Sequence, residues 1–190
     1  MTMTTLTTTV RVTRAWTAGT STLRRAAVAA GLTSLAVALN QPAPVAVRIA
    51  LAASGWLMAG AALVDVHELR IPNRLVGAAL VTTWVGAGLV ATDWLLRSIA
   101  GAVVAGLLML AVRLQRGVGM GDVKLAAAVG AGAGAVAVPL APLAIAAAAL
   151  VAGCFGIATG RRRLPLGPSL WLGWAVALMV APSGLRLGWW

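Results

Sequence analysis

From Ala26 to Pro182 the chain is a succession of apolar runs of near-bilayer length, parted only by short polar loops. No other feature constrains the fold as much. About 20 apolar residues cross the hydrocarbon of a bilayer, and a backbone in that medium must satisfy its own hydrogen bonds, which favours helices. What the runs leave over excludes a water-soluble fold. With 61% hydrophobic and 10% charged residues, too little polar surface remains to cover a core. The expectation is an all-α, polytopic membrane helix bundle of about seven transmembrane helices, one N-terminal helix and a six-helix core.

Residues 1–23 are Thr-rich and polar, with Arg11 and Arg14, and read as a cytoplasmic tail. Residues 24–44 hold a first helix and an outer loop. There Arg24 and Arg25 precede the short run Ala26–Leu39, which also has the form of a signal peptide. The following LNQPAPVAV offers no convincing small-residue cleavage site, which favours a retained helix. The core, residues 45–182, then runs through Val45–Val64, Leu75–Thr92, a fourth span ending at Val112, Val123–Val138, a sixth ending at Thr159 and a short seventh, Pro168–Pro182. Asp93 with Trp94, and Pro139 with Pro142, mark outer turns. Arg48 and Arg97 lie close enough to span ends for their charged heads to reach the headgroups. Residues 183–190 form a tail whose closing tryptophans suit a membrane interface.

Charge orients the bundle. Of fifteen Lys and Arg, twelve fall in the tail or in the loops at 65–74, 113–124 and 160–166, leaving only Arg48, Arg97 and Arg186 for the other side. That is a strong positive-inside bias. It places the N-terminus and those three loops at the cytoplasmic face of an inner or plasma membrane. The net charge of +11 would suggest nucleic acid in a soluble protein. Here the arginines cluster at the ends of apolar runs, with no basic face carrying interleaved aromatics, which argues against a nucleic-acid partner. The single cysteine, Cys154, excludes an intrachain disulfide and a CxxC zinc site.

Among only four acidic residues, two sit where membrane segments meet those cytoplasmic loops. Asp122 lies in Arg113–Leu125, RLQRGVGMGDVKL, behind a glycine-rich turn and in front of an apolar run. Asp65 ends another run and opens the polar loop to Arg74. Each has an ordinary reading, Asp122 as a helix N-cap and Asp65 as a solvated loop residue. Together they mean more. Two carboxylates that share a site cannot both ionise cheaply, so the pair holds one proton. One group then deprotonates a water while the other donates a hydrogen bond to a carbonyl. Gly119 and Gly121 leave room for a peptide backbone to lie against the loop. Lys124, two residues from Asp122, does not share its helix face and is expected to reach the headgroups. Behind the loop, Ala126, Gly130 and Gly134 at four-residue spacing suit close helix packing, although an Ala/Gly-rich composition gives such spacing by chance.

Gly119-Met120-Gly121-Asp122 is the GxGD signature of intramembrane aspartyl proteases, and GMGDVKLAAAVGA resembles the second-aspartate motif of type IV prepilin peptidases. Asp65–Arg74, DVHELRIPNR, is similar to that family's first motif, an aspartate followed by a short loop ending in Ile71-Pro72-Asn73. Leu164-Pro165-Leu166-Gly167-Pro168 is similar to the segment before its last helix. The resemblance covers residues 45–182. It implies Asp65 and Asp122 as catalytic residues, with Gly119, Gly121, Lys124, Pro72 and Asn73 as substrate-binding or loop-shaping residues. It implies neither a metal nor another cofactor. The substrate it implies is a pilin precursor, cut on the cytoplasmic side just before its hydrophobic helix. Larger members carry a four-cysteine domain linked to N-methylation. This chain has neither the room nor the cysteines, which points to the small peptidases of Tad/Flp-type pilus systems.

Other chemistries fit worse. His67-Glu68-Leu69-Arg70-Ile71 begins like HExxH, but Ile71 occupies the second ligand position and the chain has one histidine. Ser54-Gly55 lacks the preceding residues of a serine intramembrane protease. His67 and Glu68 are expected to be solvated. The rival readings are a small proton- or ion-coupled transporter and a non-catalytic subunit of a pilus or secretion assembly. A transporter would place acids near mid-bilayer, whereas these lie at one interface.

Overall fold

A computed structural model describes residues 22, 25–115, 118–160 and 164–184, which fold as seven helices with no strand among them. They are α1 (Arg25–Leu39), α2 (Val45–Glu68), α3 (Asn73–Gly88), α4 (Thr92–Leu114), α5 (Met120–Val136), α6 (Leu140–Thr159) and α7 (Gly167–Gly184). The architecture is the helical membrane bundle expected. By length and composition α2, α4 and α6 are able to cross a membrane, and α1 and α7 are shorter apolar helices. All but one residue of the expected tail at 1–23, the arginines at 161–163 and the closing LRLGWW lie outside the described residues.

The bundle is built around α5. Its 17 residues are short for a span, yet it is buried on nearly every face from Val123 to Val136 and packs against α2, α3, α4, α6 and α7. A helix that is apolar all round belongs in an interior, and this one has almost nothing larger than alanine or valine to hold neighbours away. α4 packs on it most extensively. Gly101 meets Gly130 and Gly134 backbone to backbone; a Cβ on Gly134 would lie 2.7 Å from Gly101 Cα. Ser98 Oγ donates across the same contact to Ala131 O at 2.9 Å. Small residues and a buried hydroxyl are what associate helices in lipid, where apolar side chains gain little by leaving the tails. On the other side Trp174, fully buried, lies against Gly55 and Gly132. The indole N–H of Trp171 donates to Gly55 O at 3.1 Å, so α7 is pinned to α2 as well as to α5.

Several boundaries differ from those read in the sequence. α2 does not stop at Val64 but continues through Asp65 to Glu68, because no glycine or proline interrupts it; Leu69 ends it in a left-handed conformation (φ 51°), its N–H returned to Asp65 O at 2.9 Å. Asp93 and Trp94 are not a turn but the first turn of α4, where an acidic side chain suits the helix dipole. Pro142 falls inside the first turn of α6, where its missing N–H costs nothing.

Candidate active site

The stretches at 65–74, 118–124 and 164–168 meet at one end of the bundle. Here α2 ends, α3 and α5 begin, and α7 starts its return. After Leu69 the chain crosses without regular structure to Pro72, which caps α3 in an extended conformation (φ −68°, ψ 117°). α5 is capped by Gly119. Asp122, three residues on, accepts the Gly119 N–H on Oδ2 at 3.0 Å, the half of a capping box that needs no side chain at the cap. Asp122 is thus not the N-cap itself but the reciprocal partner. A Cβ on Gly121 would lie 3.1 Å from Ile71 Cβ, so glycine there lets the α5 entry close against the Arg70–Pro72 crossing.

Asp65 lies in the last turn of α2 and is 5% exposed. Its Oδ2 accepts the N–H of Gly167, the first residue of α7, at 2.9 Å. No other hydrogen bond from a described residue reaches either carboxylate. Both aspartates line one cleft of about 320 Å³ together with Gly119, Gly121, Asn73 and Lys124; Leu69, Arg70, Ile71 and Met120 complete the wall. Each carboxylate therefore has one oxygen held by a backbone amide and faces a space large enough for a short stretch of extended peptide with water.

Of the catalytic and loop-shaping residues expected from the sequence, Asp65, Asp122, Gly119, Gly121, Lys124 and Asn73 line the cleft, and Pro72 stays out of its wall and turns the chain into α3. Lys124, expected on a different helix face from Asp122, lines the cleft beside it, because the cleft wraps the first turn of α5, and its ammonium donates to Asn73 Oδ1 at 3.1 Å. The lysine joins the α5 entry to the start of α3 and so bridges the two loops. His67 and Glu68 are exposed in the last turn of α2 and do not line the cleft. Gly167 was not singled out. The motif around it was visible in the sequence, but which backbone N–H meets which carboxylate depends on where α7 docks.

No curated protein and no solved structure matches the chain. The model of the type IV leader peptidase family matches residues 51–157, more than half of the 190 residues and a stretch that includes both aspartates of the cleft. The chain therefore belongs to the type IV leader peptidase family and is a membrane peptidase, a hydrolase of the peptide bond.

Proposed function

We propose that the protein is an aspartyl endopeptidase that removes the leader of type IV pilin precursors of the Tad/Flp type at the cytoplasmic membrane face, with Asp65 and Asp122 as its catalytic pair. One observation carries this reading: two carboxylates from distant helix ends, the last turn of α2 and the first turn of α5, line a single cleft. The pair carries one proton between them. The ionised member takes a proton from a water, whose oxygen attacks the scissile carbonyl carbon, while the protonated member donates to the carbonyl oxygen. Collapse of the tetrahedral diol breaks the C–N bond, and the leaving nitrogen takes up the proton the water lost. The cytoplasmic placement rests on the twelve-to-three division of basic residues. It also suits a substrate whose cleavage point lies just outside its hydrophobic helix. The transporter reading lacks support, since all four acids stand at helix ends and none in mid-span.

The test is a gel shift of a co-expressed pilin precursor, with membrane abundance of each variant measured alongside. Asp65→Asn and Asp122→Asn each abolish processing while the protein stays inserted. Asparagine still accepts the Gly167 or Gly119 N–H, so a purely structural role for either residue predicts little change. Full processing by an abundant Asp65→Asn variant overturns the assignment.

A further inference from the structure

The two aspartates are held differently. Asp122 is oriented by Gly119 of its own cap, three residues away, so its rotamer is set as soon as α5 forms. Asp65 has no such local donor. The amide that meets its carboxylate comes from Gly167, 102 residues further along the chain. Pro168, next in α7, has no N–H to offer in its place. Gly167 does not have a left-handed backbone. What favours glycine there is close packing: a Cβ would lie 3.0 Å from Ala62 Cα and 3.1 Å from both Cβ and Oδ2 of Asp65. The stretch matched by the peptidase family ends at residue 157, before α7 begins.

From this geometry, and resting on the aspartyl-protease reading above, we infer that Gly167 is a positioning residue for catalysis: the first backbone N–H of α7 fixes the Asp65 carboxyl on one oxygen and leaves the other turned to the reacting atoms. α7 is then part of the active site although none of its side chains lines the cleft. A pair sharing one proton works only while both carboxyls hold their relative orientation. The buried amide supplies that constraint without adding a titrating group.

The test replaces the Gly167 amide by an ester, incorporating glycolic acid at position 167 of the full-length chain. The change removes the N–H and adds no atom to the crowded contact. The control is the same amide-to-ester change at Leu170, whose N–H donates to Leu166 O in the same helical turn. Cleavage of pilin precursor is measured in detergent, with the thermal midpoint of each variant. The expected result at Gly167 is a fall in kcat of about 10- to 100-fold, the worth of one hydrogen bond to a charged group, with KM within about twofold. The Leu170 ester keeps kcat within about twofold at a comparable thermal midpoint. Gly167→Ala, which keeps the N–H but pushes the contact apart, loses kcat in the same direction. An unchanged kcat in the Gly167 ester, or equal losses in the two esters, overturns the inference. If the Gly167 ester is active and Asp65→Asn is dead, only this inference fails. Processing by Asp65→Asn overturns the protease reading and this inference with it.

Discussion

Asp65 and Asp122 reach the same cleft from unlike positions, one buried at the end of a helix and one in the open first turn of another. Because they act as a unit, the Asp65→Asn/Asp122→Asn double variant is expected to be no worse than either single one, measured as residual precursor cleavage. The polar neighbours divide by whether they face the cleft. Glu68→Gln and His67→Ala keep most activity in the same assay, since neither lines it. Lys124 and Asn73 do line it and are bonded to each other. Lys124→Ala and Asn73→Ala should each lower kcat/KM several-fold, in line with the roughly 0.5–1.5 kcal/mol net worth of a hydrogen bond. The double variant should show little additional loss, because both singles break one contact. Additive losses would mean that the two residues act separately.

At the scale of the element, α5 decides the packing. Gly101, Gly130 and Gly134 bring two backbones together where no Cβ fits. Gly101→Val is expected to destabilise the bundle by about 1–3 kcal/mol or more, as overpacking does. Gly153 in α6 and Gly77 in α3 have open space where a Cβ would go, so Gly153→Ala and Gly77→Ala should be neutral or slightly stabilising, given alanine's better helix propensity. Denaturation in detergent separates the two groups. Equal behaviour of Gly101→Val and Gly153→Ala would contradict the close α4–α5 contact. The spacing Ala126, Gly130, Gly134 was legible beforehand, but its partner Gly101 was not, because a stripe of small residues does not say which helix it meets.

For the whole molecule the expectations concern orientation and cofactor need. Reporter fusions at Gln41 and Asp93 should report one side of the membrane, and fusions at Gln115 and Arg162 the other, following the charge division. If Gln115 and Asp93 report the same side, the two-aspartate site is lost. Cleavage in detergent should persist in EDTA and without S-adenosylmethionine, since one histidine and one cysteine make no plausible ligand set. Loss on chelation, restored by zinc, would overturn the aspartyl assignment.

The sequence by itself determined the membrane helix bundle, because apolar runs of that length have no other solvent. It also marked the two aspartates and the loops around them, because an acid at the mouth of an apolar run is costly enough to stand out among four. Three things were decided only by tertiary structure. Asp65 is buried rather than solvated; Lys124 pairs with Asn73; and Gly167 supplies the amide that holds Asp65. The physical reason is the same in each case. Side-chain type and spacing are local and written in the chain, whereas the partner of a buried hydrogen bond is chosen by how remote helices dock, and here that docking follows the close approach that glycine and alanine allow around α5.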